Sequence, residues 1–248
     1  MIRRTTLALA AGLALAAGGQ ALPAFAAAAA PAAQEPVTAE RPAADVARDA
    51  NRKPHEIIAF AGVKPGMHVA ELAPGGGYYT RLLSQAVGPN GKVYAILTQA
   101  QAGRPGYLDR VNALAKVLGN VEVLTVDYAT MQLPEKVDLF WTTENYHDFH
   151  NGPTANIAAL NKSVFDNLKP GGIFYVEDHS AAKGAGLAAA SSVHRMDEDV
   201  AKAELQAAGF TIDGETDLLR NPNDDKAARN SESGHFNSDR FGLRAKHP

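Results

Sequence analysis

The chain has 248 residues, of which 46% are hydrophobic and 21% are charged, and its formal net charge is −3. This length and composition are ordinary for one globular domain with its own core. The negative charge argues against a general nucleic-acid-binding protein, and the absence of cysteine excludes disulfides and thiolate zinc sites.

The first 26 residues have the layout of a secretory signal peptide. Arg3 and Arg4 precede an apolar run over residues 7–17, and Ala24-Phe25-Ala26 forms an A-x-A cleavage site. We therefore expect cleavage after Ala26 and an exported protein, periplasmic or secreted. The apolar run is too short to span a membrane, so we expect no stable membrane anchor after cleavage. The arginine pair partly resembles a twin-arginine signal, which leaves both export routes open.

Residues 27–44 consist mostly of Ala, Pro, Glu and small polar residues without apolar periodicity, and we expect a flexible leader there. From residue 45 onwards the pattern predicts a single domain in which helices and strands alternate. A short polar helix comes first, and a second helix starts near Pro54.

The remaining elements follow in a regular order. Further helices are predicted over residues 78–87, 106–119, 153–168 and 197–210. Strands are predicted over residues 67–72, 92–97, 121–126, 137–142, 173–178, 210–212 and 240–245. This alternation predicts an α/β Rossmann-like three-layer sandwich, with a seven-stranded, mostly parallel sheet and a C-terminal antiparallel strand.

Three consecutive glycines, Gly75 to Gly77, follow the first predicted strand. In an open parallel sheet this loop usually lines the ligand site, and glycines let backbone approach a ligand closely. A P-loop would need Lys and Ser or Thr where Tyr78 and Tyr79 stand. A dinucleotide loop would need Gly or Ala where Thr80 stands, so that match is weak. S-adenosylmethionine is the third option, and a tight turn that serves no ligand also stays open.

Three stretches carry a family resemblance. Glu71, Gly75 and Gly77 match the pattern acidic-x-x-x-G-x-G, and "VEVLTVDY" and "NLKPGGIFYVED" follow in the expected order. From about Met67 to its end, the chain resembles class I S-adenosylmethionine-dependent methyltransferases. It is most similar to a group of exported bacterial methyltransferases that share "PGGGYYT", "HRMD", "AAGF" and a C-terminal "DRF" strand.

The resemblance implies S-adenosylmethionine as cofactor. Glu71 would bind its amino acid end, the loop after the first strand would pass beneath the sulfonium and ribose, and Asp127 would accept a hydrogen bond from the adenine amine. One departure is that Thr98 and Gln99 stand where the family has a carboxylate for the ribose hydroxyls. The predicted cofactor-binding residues are Glu71, Ala73, Pro74, Gly75, Gly76, Gly77, Tyr78, Thr98, Asp127, Tyr128 and Thr142.

A second polar stretch, "WTTENYHDFHN", follows the fourth predicted strand. Asp178 and His179 follow the fifth strand, and His194 and Arg195 precede the next helix. Because these segments start on the same side of the sheet, we expect all three to converge over the glycine loop. Histidine can remove a proton from an attacking nucleophile near neutral pH. The predicted catalytic residues are Glu144, Tyr146, His147 and His179.

A metal site is an alternative use of the same histidines. The side chains of His147, His150, Asp178 and His179 are of the types that bind Zn, Mn or Fe. The spacing H-x-x-H in a loop is a weak signature, and Asp148 and His150 could instead cap the next helix.

The sequence therefore favours a methyltransferase-like enzyme that acts on a small molecule or an envelope component and does not bind nucleic acid. Two alternatives remain: an exported protein that binds a small ligand on the same fold, and a metal-dependent enzyme that uses His147, His150 and His179.

Overall fold

The computed structural model describes Met1 and residues 41–153, 155–229 and 237–248. The predicted signal peptide after Met1, and residues 27–40 of the predicted leader, lie outside the described residues. The end of that leader is described, and its last two residues, Ala43 and Ala44, belong to the first helix.

Helices precede the sheet and also connect its strands. The helices are α1 (Ala43–Val46), α2 (Asp49–Arg52), α3 (Pro54–Ala61), α4 (Tyr78–Val87), α5 (Gln99–Ala102), α6 (Tyr107–Leu118), α7 (Ile157–Asn167), α8 (Ala188–Ser192) and α9 (Glu198–Ala207), and a 3-10 helix spans His147–His150. Within the described part of the chain, none of them is long and apolar enough to cross a membrane.

The strands are β1 (His68–Leu72), β2 (Lys92–Leu97), β3 (Val121–Thr125), β4 (Val137–Thr143), β5 (Leu168–His179), β6 (Thr211–Thr216) and β7 (Arg240–Lys246). They form one sheet in the order β3-β2-β1-β4-β5-β7-β6. The first five strands pair in parallel, and β7 runs antiparallel to both β5 and β6. The predicted fold class is confirmed.

Both faces of the sheet are covered, which explains why its central strands read as continuous apolar runs. Leu72 and Phe140 face one core, into which α7 and α9 also place apolar side chains. Val69 and Trp141 face the other core, together with side chains from α3 and α4. Because successive side chains of a strand point to opposite faces of the sheet, each central strand contributes residues to both cores.

Several elements differ from the predictions: α7 begins at Ile157 rather than 153, β6 extends to Thr216 rather than 212, and α5, α8 and the 3-10 helix were not predicted. Strand β5 begins at Leu168 rather than 173, because Leu168 pairs with Val137 before an irregularity restores the register at Ile173. The predicted polar helix near residue 45 is two four-residue helices, α1 and α2, and Lys53 in a left-handed conformation (φ 40°) then separates α2 from α3.

Candidate functional site

The loop after β1 turns sharply at the carboxyl edge of the sheet. Ala73, Gly75 and Gly77 all have positive φ (53°, 58° and 81°), which is costly for alanine and easy for glycine. Gly75 and Gly76 are exposed, and a side chain built on either would meet no atom within 4 Å. The open side of this loop therefore lets another molecule approach the backbone closely.

Glu71 lies beneath the loop, near the end of β1, and only 3% of it is exposed. Its carboxylate Oε2 accepts a hydrogen bond of 2.6 Å from the hydroxyl of Thr80 in α4. Burial raises the pKa of Glu71 to about 7, against the opposing effects of that hydrogen bond and of the charge on Arg81. The carboxyl group therefore changes its charge near neutral pH.

A network of neutral groups occupies the carboxyl end of β2. Thr98 caps α5 in a reciprocal pair with Gln101: the Gln101 N–H donates to Thr98 Oγ1 (3.1 Å), and the Thr98 N–H donates to Gln101 Oε1 (2.9 Å). The hydroxyl of Tyr128 lies 2.9 Å from Gln101 Oε1 and accepts a hydrogen bond from the backbone N–H of Ala73 (3.1 Å). Burial raises the pKa of Tyr128, so its hydroxyl stays protonated.

A cavity of about 450 Å³ lies beside the loop, between α4 and α6. The described residues that line it come from the loop, α4, α6 and Pro42, so Thr98 and Asp127 lie outside it. At the start of α6, burial raises the pKa of the Tyr107 hydroxyl, which lies near the backbone of Gly75.

Asp127 and Thr142 lie in opposite surroundings. Asp127 is exposed just beyond β3, and its Oδ1 accepts a hydrogen bond from the backbone N–H of Ala129 (2.9 Å). Thr142 is fully buried in β4, and its hydroxyl has no hydrogen-bond partner among the described residues. The predicted cofactor-binding residues are thus spread along the carboxyl edge and are not gathered in one cavity.

The side chain of Tyr78 faces the N-terminal helices. Its ring lies close to the guanidinium groups of Arg41, Arg48 and Arg52, at 5.1, 5.3 and 4.7 Å from the ring centroid. Its hydroxyl donates to Asp49 Oδ1 at 2.6 Å. Cation–π contacts thus hold the side chain against α2 and the segment before it, and the role of Tyr78 in cofactor binding stays a prediction.

Glu144 belongs to a buried ion cluster. It follows β4 with a positive φ of 57°, pairs with Arg52 of α2, and accepts a hydrogen bond of 2.8 Å from Arg240 of β7. Arg240 also donates to Glu177 of β5 at 3.1 Å. Burial raises the pKa of Glu177 to about 7, against the charge of Arg240. Glu144 therefore ties α2 to the sheet edge, and its catalytic role stays a prediction.

Tyr146 and His150 are directed into the layer of α7 and α9. The hydroxyl of Tyr146 donates to Glu204 (3.1 Å) and accepts from the side chain of Asn161 (2.8 Å). His150 Nε2 lies 2.9 Å from the same Glu204 carboxylate. Glu204 therefore binds the ring of His150, and the metal cluster of His147, His150 and His179 stays a prediction.

His147 is held by Asp178 from two sides. Its backbone N–H donates to Asp178 Oδ2 (2.6 Å), and its ring Nδ1 lies 2.8 Å from Asp178 Oδ1. Burial alone would lower the pKa of His147, but the charge and hydrogen bond of Asp178 outweigh it, and the net shift is upward. His179 lies nearby, with ring centroids 6.0 Å apart, and its Nδ1 lies 2.6 Å from the hydroxyl of Ser238. Burial lowers the pKa of His179 to about 4.

No protein-family model matches this chain. Among solved structures, it is similar to an S-adenosylmethionine-dependent methyltransferase from Aquifex aeolicus (20% identity, TM-score 0.57, 81% of this chain and 98% of that chain covered). It is also similar to the N-methyltransferase NodS from Bradyrhizobium japonicum (14% identity, TM-score 0.57, 82% and 96% covered).

The chain has the methyltransferase fold. The [4+2]-cyclase SpnF shares it as well (17% identity, TM-score 0.54, 80% of this chain and 81% of that chain covered). Because the same methyltransferase fold is found in a protein named for a cyclisation, the reaction of this chain must be argued from its site.

Within the methyltransferase fold, three site residues were missed by sequence reasoning. The role of Gln101 could have been predicted, since Thr98-x-x-Gln101 has the spacing of a helix capping box. Tyr107 and Arg240 have no comparable sequence pattern. Tyr107 lies near the glycine loop and Arg240 pairs with Glu144, and in both cases the partner comes from a distant part of the chain.

The pKa of Glu71 predicts a pH-dependent difference between the wild type and Glu71→Gln. Between its ordinary pKa of 4.5 and about 7, the folded chain holds a proton that the unfolded chain has released. This contribution to stability is present below pH 4.5 and is lost as the pH rises through 7. Urea unfolding should show that Glu71→Gln gains relative to the wild type by roughly 3 kcal/mol between pH 5 and 8.

The matched control is Glu122→Gln, which changes a much more exposed carboxylate in β3 in the same way. Its stability difference from the wild type should stay constant over this pH range. A constant difference for Glu71→Gln as well would contradict the raised pKa. Glu177 is present in every variant, so its own titration cancels in the comparison.

Proposed function

We propose that this chain is an exported enzyme that binds S-adenosylmethionine at the carboxyl edge of β1 and methylates a small molecule or an envelope component. The observation that carries the proposal is the left-handed turn from Ala73 to Gly77 above the buried carboxyl of Glu71. This turn directly follows β1, where the strand order of the sheet reverses, and ligands of open α/β sheets bind at that point.

The residues at the loop fit the methionine end of the cofactor. Gly75 and Gly76 leave their outer side open, and Glu71 supplies a carboxyl group whose Oε2 is held by Thr80. When bound, S-adenosylmethionine would supply an electrophilic methyl group to a lone pair of the acceptor; its sulfur would keep the electron pair of the C–S bond, and a base of the protein would take the acceptor proton. In such a displacement, much of the rate gain comes from alignment of the reactants.

Binding of the nucleoside end of S-adenosylmethionine has weaker support than binding of its methionine end. Thr98, Gln101 and Tyr128 hydrogen-bond to one another where a carboxylate would hold the ribose hydroxyls. Neutral partners form weaker hydrogen bonds than a carboxylate does. We therefore expect a modest affinity for the cofactor, with Asp127 available at the surface for the adenine amine.

Two histidines at the carboxyl edge of the sheet, His147 and His179, could take the proton that the methyl acceptor loses. Asp178 fixes the ring of His147 through Nδ1, which leaves Nε2 as the basic atom. His179 is neutral near pH 7, because burial lowers its pKa to about 4. On proton affinity alone, His147 is the stronger base of the two.

A small-ligand-binding protein on the same fold is the second candidate. The network of Thr98, Gln101 and Tyr128 favours it, because these groups already satisfy one another at the nucleoside end. In that case a ligand other than S-adenosylmethionine would bind beside the loop.

Export is supported by the order of charged, apolar and small residues over 1–26. Sequencing of the N-terminus of the mature protein, recovered from the bacterial envelope fraction, should start at Ala27. A protein that keeps Met1 and stays in the cytosol would contradict export and would leave the proposed methyl transfer untouched.

Calorimetric titration of the mature protein with S-adenosylhomocysteine at pH 8 tests the proposed cofactor site. Glu71→Gln should weaken binding about tenfold or more, because it removes the charge that faces the cofactor amino group. Thr98→Asp should tighten binding about tenfold, since Asp keeps the helix cap and adds charge-assisted hydrogen bonds to the ribose.

The controls for this titration are Glu122→Gln, away from the loop, and Thr98→Ser, which keeps the cap without adding a charge. Neither should change the affinity more than about twofold. No binding at millimolar concentration by either the wild type or Thr98→Asp would overturn the proposed function and favour the binding-protein alternative.

A further inference from the structure

A separate polar cluster lies where the 3-10 helix after β4 meets the residues that follow α8. Asp148 Oδ1 is 3.3 Å from His147 Nε2 and 3.3 Å from His194 Nδ1. Among the described residues, these three side chains bring one ligand atom each to within 4.8 Å of one another. Two imidazole nitrogens and a carboxylate oxygen are common ligands of first-row transition metals.

Two of the three separations between ligand atoms match the geometry of a single ion, and the third is within 4.8 Å. Bonds of about 2.0–2.1 Å to a tetrahedral Zn²⁺ place two of its ligand atoms about 3.3–3.4 Å apart. Both separations from Asp148 Oδ1 have this value. We propose that His147, Asp148 and His194 bind one divalent transition-metal ion, with Zn²⁺ as the expected occupant.

Asp178 provides the outer support that such a site needs. It lies 2.8 Å from His147 Nδ1 and is fully buried, so His147 carries its proton on Nδ1 and directs the lone pair of Nε2 toward Asp148. Metal-bound histidines usually donate their second N–H to a carboxylate in this way, which fixes the tautomer and the ring orientation.

The backbone around His194 is also specialised. His194 has a φ of 52°, a left-handed conformation that is uncommon for a residue with a large side chain. The next residue, Arg195, is fully buried and pairs with Asp224 through two hydrogen bonds of 2.8 and 3.0 Å. This anchor holds the strained turn, and the turn brings the His194 ring to 5.5 Å from the ring of His147.

The cluster is closed on one side and open on the other. The side chain of His147 is 3% exposed, whereas those of Asp148 and His194 are 50% and 32% exposed. Among the described residues the cluster offers three ligands, and three protein ligands with water or a substrate oxygen in the fourth position are typical of catalytic zinc sites.

This inference does not rest on the proposed methyl transfer. An ion bound to Nε2 would prevent His147 from accepting a proton, and His179 would then be the remaining candidate base. If the cluster is instead an ion pair between Asp148 and protonated imidazoles, the chain will bind no metal.

The test uses the tag-free mature protein after removal of metals by a chelator. Calorimetric titration with ZnCl₂ should give one ion per chain, and Co²⁺ should give the intense visible bands of tetrahedral coordination. His194→Ala and Asp148→Asn should each weaken Zn²⁺ binding about a hundredfold, and Asp178→Asn should weaken it about ten- to a hundredfold.

The matched control is His55→Ala, which removes an exposed imidazole from α3 and should leave Zn²⁺ binding unchanged. Unfolding midpoints of the metal-free proteins show whether each variant is folded, and positions 148 and 194, whose side chains are 50% and 32% exposed, should tolerate substitution. Absence of stoichiometric binding by the wild type would overturn the proposal, as would equal binding by the folded wild type, His194→Ala and Asp148→Asn.

Discussion

Parallel pairing of β1 with β2 on one side and β4 on the other is the constraint on which the rest of the structure depends. Because the first five strands are parallel, their carboxyl ends lie at one edge of the sheet, and the segments that leave them start there. The chain must turn abruptly after β1 to reach α4, and the left-handed residues Ala73, Gly75 and Gly77 make that turn. The candidate site follows from this arrangement.

Each buried carboxyl group at this edge has a partner or a shifted pKa that offsets the free-energy cost of burial, since an isolated buried charge is unfavourable. Glu71 has the hydroxyl of Thr80 and a raised pKa, and Glu177 has the charge of Arg240. Asp178 has both the backbone and the ring of His147. The same edge of the sheet therefore carries an acid that titrates near neutral pH, an ion cluster that links structural elements, and an imidazole whose orientation is fixed.

Much of the fold could be predicted from sequence, because the central strands are buried on both faces and appear as apolar runs separated by turn residues. The start of β5 could not, since Lys169 to Gly172 have the composition of a turn and only the pairing of Leu168 with Val137 makes that segment part of a strand. Local composition does not reveal such long-range pairing.

The site was predictable only in part, for a related reason. Glu71 and the glycines could be found because their chemistry lies within seven consecutive residues. The partner of His150 could not, because Glu204, which binds its ring, is 54 residues away in α9. The sequence predicted that the segment of His194 approaches that of Asp148, but the contact itself depends on the turn that Arg195 anchors, which spacing along the sequence does not encode.

Amide hydrogen exchange with and without saturating S-adenosylhomocysteine tests the central claim most directly, namely that the carboxyl edge of β1 is the ligand site. The account predicts slower exchange over residues 73–80 and 98–101, and no change in β6, which lies at the far end of the sheet. Unchanged exchange in the glycine loop, or protection confined to another part of the chain, would contradict it.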